Sequence, residues 1–248
     1  MSLPVHLVES LQGVVVGALV EVGGDEAHHA VAVRRLRVGE DVVLTDGAGH
    51  RVVGQVASTG KRVFAVEVVS GSFLPRPTPS FTVVQALPKG DRGELAVEVL
   101  TEIGVDTIVP WAAARSVAVW KGERAAKSHA KWQATAREAG KQSRRTWLPT
   151  VTPLASTDDV VARLRGAALV AVLHEDATAS LASLEVPVDG EVVVIVGPEG
   201  GLTPEELEAF EAVGAVAVRL GDEVLRTSTA GLAAVSALLA RTARWLRV

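Results

Sequence analysis

Two segments in the C-terminal third constrain this chain more than any other: residues 195–201, IVGPEGG, and residues 220–231, LGDEVLRTSTAG. The first ends an apolar run, EVVVIV, in a glycine-rich turn, and LTPEEL follows at once. Thr203 is placed as a helix N-cap and Pro204 takes the first helical position, where an N–H would have no partner. Glu206 closes a capping box three residues after the threonine. The second segment repeats the layout, with apolar AVAVRL, an irregular polar loop and then a long helix. Strand, loop and helix in tandem call for parallel strands. In an open α/β sheet, loops at the carboxyl ends of such strands form the ligand edge.

The chemistry of the first loop narrows the ligand. It is neither G-x-G-x-x-G nor a P-loop, because the Gly-Lys-Ser/Thr ending is missing. Glu199 lies in the loop, and Glu205 and Glu206 occupy the first helical turn. A pyrophosphate would meet like charge there, at a helix end that otherwise attracts anions. The expected ligand is neutral or cationic and is approached closely by backbone. S-adenosylmethionine, with its sulfonium and phosphate-free adenosine, fits that description. An ordinary capped turn explains GPEGG alone equally well, and the tandem arrangement favours the ligand.

Three further features bear on chemistry. Arg226 opens the last helix, where the helix dipole disfavours a cation. A residue placed against its local preference points to binding a phosphate or carboxylate, or to stabilising an anionic base. Thr227, Ser228 and Thr229 add three hydroxyls at that point, of which helix capping explains one. His174 follows the apolar run AALVAVL beside Glu175 and Asp176, on the same ligand edge. His28 and His29, adjacent on an expected helix, face apart and make a poor metal pair. No metal cluster and no Ser/His/Asp set can be recognised.

Residues 1–72 read as short β-branched strands (VVVGALVEV, DVVLTDG, RVVGQVAST, RVFAVEVVS), the pattern of a small barrel. One helix interrupts them around DEAHHAVAVRRLRVGE, with Asp25 as its cap. Three prolines mark the segment 71–80, so residues 73–80 form a linker. From residue 81 to residue 248 strands and helices alternate, which calls for a parallel sheet covered on both faces. DRGELAVEVLTEIG is a helix ending at Gly104, GERAAKSHAKWQATAREAGKQS is a long basic helix, and the last helix runs from Thr227 to Leu246. The small residues that begin this last helix (Thr229, Ala230, Gly231, Ala233, Ala234) call for close packing. A knot loop, a second subunit or the chain's own core each satisfies them.

The net charge of −4 is unevenly spread. Between Arg115 and Arg145 nine basic residues face two acids, Glu123 and Glu138, a local +7 in an acidic protein. Such a segment supplies phosphate affinity for nucleic acid, and a solvated helix face is the alternative. The chain has no Cys, which excludes disulfides and thiolate chemistry. It shows no apolar run of membrane length and no secretory leader, so a cytoplasmic protein without a membrane partner is expected.

Taken together, QALPKGDRGELAVEVLTEIGV, EAGKQSRRTWLP, GPEGG and LG…VLRTSTA, in that order along the chain, resemble the 16S ribosomal RNA uracil-N(3) methyltransferases of the SPOUT superfamily. The resemblance covers essentially the whole chain, with HHAVAVRRLRVGEDVVLTDG matching the signature of an N-terminal PUA-like domain. It implies a C-terminal α/β domain with a deep trefoil knot, S-adenosylmethionine among the knot loops, a homodimer, and 16S ribosomal RNA in the small subunit as substrate, with no metal. Carried over by position, the cofactor residues are Leu173, His174, Gly197, Glu199, Gly200, Gly201, Leu220, Leu225, Thr227, Thr229 and Ala230. Arg226 is the catalytic candidate, stabilising the anion formed when the uracil imide loses its proton. Arg34, Arg35, Lys89, Arg115, Lys141, Gln142, Arg144 and Arg145 are the expected RNA contacts, with Glu102 and Ser143 bordering the cleft. Many members read Thr-Glu-Thr where this chain has Thr227, Ser228 and Thr229. Many also begin with an arginine and an aromatic pair where this chain has Val5, His6 and Leu7.

Overall fold

Val42, Leu44, Val52, Val56, Phe64, Val66 and Val68 bury alternating positions of the β-branched runs in the first part of the chain. This period of two is what folds them into one curled sheet with a single apolar face. The structure is a computed structural model in which residues 3–246 are described. Its strands here are β1 (Val5–Leu7), β2 (Leu19–Gly23), β3 (Asp41–Thr45), β4 (His50–Thr59) and β5 (Val63–Phe73). Their order is β1-β3-β4-β5-β2, antiparallel except for β1 beside β3. Helix α1 (Gly24–His28) continues into a π-helical turn, His29–Val33, and buries Ala27 and Ala30 against the sheet core.

Several local expectations are corrected. The run VVVGALVEV is strand only from Leu19, and Val15 and Val16 stay exposed. Asp25 does not cap α1: Gly23 is the N-cap, with no side-chain cap bond, and Asp25 pairs with Arg62 at 2.6 Å. His28 and His29 are both exposed.

The chain divides into two units, Met1–Arg76 with Lys141–Leu148, and Pro77–Gly140 with Pro149–Val248. The segment 141–148 therefore packs with the first unit although its neighbours in sequence belong to the second. One reason is a buried ion cluster. Glu26 on α1 accepts hydrogen bonds from His6 Nδ1 at 3.1 Å and from Lys141 Nζ at 2.8 Å, and its side chain is only 10 % exposed. Burial alone would raise its pKa, but the bonds from His6 and Lys141 outweigh that and hold it at about 2.

The second unit carries β6 (Ser80–Ala86), α2 (Arg92–Ile103), β7 (Thr107–Trp111), α3 (Glu123–Gln142, whose last two residues lie in the first unit), β8 (Thr150–Val151) and α4 (Thr157–Leu164). It continues with β9 (Leu169–Leu173), β10 (Ala179–Ser180), β11 (Glu191–Val196), α5 (Pro204–Glu211), β12 (Val216–Arg219) and α6 (Thr227–Leu239). The strands form one all-parallel sheet in the order β10-β12-β9-β11-β6-β7-β8. Strand β11 shows why the run EVVVIV is apolar throughout. Val192, Val194 and Val196 join the core under α2, α3 and α6, while Val193 and Ile195 join the core under α4 and α5. A central parallel strand is buried on both faces.

The helix ends follow their sequence signals. Gly104 terminates α2 with φ 105°, its N–H reaching the carbonyls of Leu100 and Thr101. Thr203, Pro204 and Glu206 start α5 with both bonds of the capping box. The last helix is shorter than its apolar stripe implies and ends at Leu239. Its small residues serve the chain's own core. A Cβ on Gly231 would lie 3.2 to 3.5 Å from Leu100, Val196 and Val83, so α6 packs tightly on α2, β6 and β11. The helix α4, with a capping box between Ser156 and Asp159, was not recognised from sequence, nor were the short strands β1, β8 and β10.

Candidate active site

The carboxyl ends of β9, β11 and β12 meet the start of α6 around a cavity of about 410 Å³. The end of β9 contributes Leu173 and the residue after it, His174, and the β11 loop contributes Gly197, Glu199, Gly200 and Gly201. The β12 loop contributes Leu220 and Leu225, and α6 contributes Thr227 and Ala230. Ten of the eleven expected cofactor residues thus line one cavity. Thr229 is not among them: its N–H and hydroxyl bond the carbonyl of Arg226 and close the first turn of α6.

The glycine loop is built as a rigid wall. Gly201 N–H bonds Pro198 O to close a β-turn, and Gly201 needs its glycine because φ is +73°. Arg115 braces the turn through bonds from Nη1 to the carbonyls of Gly200 (3.3 Å) and Leu202 (3.0 Å). A Cβ on Gly200 would come within 3.0 Å of Arg115, so the close fit requires glycine there too. The carboxylate of Glu206, 4 % exposed, accepts from the N–H groups of Thr203 and Ala114, so it does not face a ligand. At His174, the backbone N–H of Asp176 donates to Nδ1 at 3.2 Å. In the neutral ring the proton then sits on Nε2.

A second cavity, of about 610 Å³, is lined by Lys89, Gly90, Arg92, Glu199, Val224, Leu225, Arg226 and Thr227. Arg226 belongs here and not to the first cavity. It is the exposed N-cap residue of α6, in extended conformation, and so stands just outside the helix. The first cavity is edged by five carboxylates (Glu175, Asp176, Glu199, Asp222, Glu223) and two guanidinium groups (Arg115, Arg219). The second has three cations and one carboxylate. Two cavities of opposite charge therefore share a wall made of Glu199, Val224, Leu225 and Thr227.

The residue that anchors this wall was missed in the sequence. Gln85, 1 % exposed on β6, donates from Nε2 to the carbonyl of Thr227 at 3.3 Å, and its Oε1 has no partner. The available signal was an amide inside the apolar run FTVVQAL, where a buried polar group calls for a stated partner. Arg92, the first residue of α2, was also overlooked.

The expected RNA contacts divide by role. Lys89 lines the cationic cavity, and Arg115 braces the glycine loop. In the first unit, Arg34, Arg35, Gln142 and Arg144 are exposed, Lys141 is held by Glu26, and Arg145 bonds the carbonyl of Trp147. Glu102 is exposed on α2, and Ser143 is half-buried. Among the described residues no group of three His, Cys, Asp or Glu side chains is placed to hold a metal.

Comparison with known sequences decides the family. The RNA methyltransferase domain matches residues 75–239, and the RNA methyltransferase PUA domain matches residues 22–69. The chain belongs to the RNA methyltransferase family. It is similar to the ribosomal RNA small subunit methyltransferase E of Mycobacterium tuberculosis, 45 % identical over 233 residues that cover 92 % of this chain and 89 % of that protein. The enzyme of the same name from Bacillus subtilis is 31 % identical over 229 residues, covering 88 % and 89 %.

Among solved structures, the ribosomal RNA small subunit methyltransferase E of Neisseria gonorrhoeae, bound to S-adenosyl methionine, superposes with a TM-score of 0.86. It is 28 % identical, and the match covers 97 % of this chain and 98 % of that one. A putative methyltransferase of Legionella pneumophila, in complex with the same cofactor, gives 0.88 at 26 % identity, covering 98 % and 99 %. Both of these structures thus hold S-adenosylmethionine. The acid-edged cavity of this chain suits it: bare backbone on the glycine loop, apolar Leu173, Leu220 and Leu225, and an excess of carboxylates for a cationic ligand.

Proposed function

We propose that this methyltransferase transfers a methyl group from S-adenosylmethionine to ring nitrogen three of a uridine in 16S ribosomal RNA. The observation that carries the reading is the pair of adjoining cavities of opposite charge. The acid-edged one suits the cofactor, and the one lined by Lys89, Arg92 and Arg226 suits a nucleotide. The names of the most similar relatives, small-subunit ribosomal RNA enzymes over nearly their full length, supply the class of RNA.

When bound, S-adenosylmethionine supplies an electrophilic methyl group on a cationic sulfur, which leaves with the C–S bonding pair. The protein residues do the rest. Leu173, Gly197, Gly200, Gly201, Leu220, Leu225, Thr227 and Ala230 hold the cofactor. Arg226 lies in the neighbouring cavity, where ring nitrogen three must carry negative charge before it can attack. A guanidinium placed in advance stabilises that charge without reorganising solvent. The imide lies on the pairing edge of uracil, so the target base must be unpaired or flipped to enter. The exposed Arg34, Arg35 and Arg144 of the PUA-bearing unit are proposed as contacts to RNA phosphates.

The trefoil knot implied by the sequence resemblance is proposed as well. It is supported by β11 lying between β6 and β9, and by α6 returning after β12 to pack on β6 and β11. Dimerisation is proposed from the resemblance, since the small residues of α6 are engaged within the chain, and a cytoplasmic location is proposed from the sequence reading. The mass of the particle in solution checks the dimer.

The test of function is incubation with labelled S-adenosylmethionine and small ribosomal subunits, followed by digestion and mass mapping. The expected product is N3-methyluridine at one site in 16S RNA. Label on another nucleoside would overturn the assignment of the atom. Cofactor binding with no label in RNA would overturn the reaction and favour a silent RNA-binding protein.

A further inference from the structure

Methylation at ring nitrogen three needs a group to take the imide proton, and the wall between the two cavities holds only one candidate. Of the four residues that line both, Val224 and Leu225 are apolar, and Thr227 is a buried helix residue whose carbonyl is tied to Gln85. Glu199 is the single carboxylate among them. It sits second in the Pro198–Gly201 β-turn, braced from below by Arg115. Its Oε1 accepts from the backbone N–H of Lys89 at 3.3 Å, which turns the side chain toward the cationic cavity. Glu199 itself is exposed, so a carboxylate oxygen remains open to that space.

We propose that Glu199 is the proton acceptor of the reaction, a catalytic role beyond cofactor contact. The proposal rests on the N3-uridine reading given above. The proton on ring nitrogen three moves to a Glu199 carboxylate oxygen, and the N–H bonding pair stays on nitrogen as the nucleophile. The charge count in the cavity is unchanged by this step. One negative charge moves from the carboxylate to the ring, and Lys89, Arg92 and Arg226 face it in either position. After the nitrogen is methylated, the Glu199 carboxylic acid returns its proton to solvent. The arrangement assigns the two charges of the site to separate duties: Glu199 removes the proton, and the cations hold the resulting anion. A general base within reach is worth roughly 10²- to 10⁴-fold in rate.

The test is Glu199→Gln, whose amide oxygen keeps the bond to Lys89 N–H and so preserves the loop. Three quantities are measured on wild type and variant: the S-adenosylmethionine Kd by calorimetry, the Kd for 16S RNA, and the single-turnover rate with saturating cofactor against pH. The expected result is at most a few-fold weaker cofactor binding, with the rate at saturating cofactor and RNA lowered on the order of 100-fold. The rate of the variant should rise steadily with pH, because solvent must now take the proton. It should also recover in part on RNA carrying 5-fluorouridine, whose imide is more acidic. A variant that binds cofactor weakly and regains full rate at saturation would show that Glu199 serves only the cofactor, and would overturn the proposal. So would an unchanged rate, or a loss equal on uridine and 5-fluorouridine. A wild type that makes no N3-methyluridine would instead overturn the reading on which the proposal rests.

Discussion

Glu26 in the first unit and Glu199 in the second are both carboxylates beside a lysine, and they are built to opposite ends. Glu26 is enclosed, and each of its oxygens is taken, one by His6 and the other by the Lys141 ammonium. Its charge is fixed, with the pKa held at about 2, and it ties the last turn of α3, at Lys141, to α1 and β1 of its own unit. Glu199 stands exposed on a braced turn, bonded through one oxygen to a backbone N–H and facing a cavity with three cations. A carboxylate whose hydrogen-bonding capacity is filled holds structure together. One with an open oxygen, on a braced turn, is available for chemistry.

The comparison can be broken by substitution, and the largest effect is expected beside Glu199. Arg226→Ala should lower the methylation rate roughly 10²- to 10³-fold, as loss of a preorganised donor does elsewhere. Cofactor affinity should hold, because Arg226 does not line the acid-edged cavity. Calorimetry together with single-turnover kinetics separates the two, and a normal rate would remove Arg226 from the mechanism.

Next in size is Glu26→Gln, expected to destabilise the first unit by about 2 to 3 kcal/mol, because Lys141 then faces a neutral amide in a nearly closed site. The pH dependence has a definite sign. The folded pKa of about 2 lies below the ordinary 4.5, so the stabilisation is complete above pH 4.5 and is lost as pH falls toward 2. The wild-type melting temperature should drop through that window, and the curve of the variant should be flatter there. No change in rate at neutral pH is expected while the protein stays folded.

Gly201→Val places a β-branched residue at φ +73°. The strain, about 1 to 3 kcal/mol, should weaken cofactor binding on the order of tenfold. Arg115→Ala removes the brace under the same turn, so a few-fold weaker cofactor affinity is expected, from about 1 kcal/mol of lost bonding. RNA affinity should stay the same if Arg115 is a brace; a fall in RNA affinity alone would restore it as an RNA contact. The smallest effect is Asp222→Asn in the exposed β12 loop, whose pair with Arg219 is 3.5 Å long with both side chains largely in solvent. Its melting temperature should shift by no more than about 0.5 kcal/mol implies.

Much of the candidate site was legible in the sequence because its causes are local. A capping box, a glycine at positive φ and an apolar run on a central strand each act over a few residues, and Thr203, Gly201 and β11 stand as read. The four motifs around them carry the family's signature for the same reason. Misreadings arose where the partner lay far away in the chain. Lys141 and Arg115 were read as free cations of a basic segment, yet Glu26 and the glycine loop engage them. Asp25 had the right residue type for a cap but the wrong place, two residues past the N-cap Gly23.

The sequence by itself thus determined the parallel α/β architecture, the glycine loop and the class of cofactor, since periodicity and short motifs suffice for these. The fold alone settled which charges remain available. Pairing depends on distance in space, and no spacing along the chain foretells that Glu26 meets Lys141 or that Glu199 stands between two cavities.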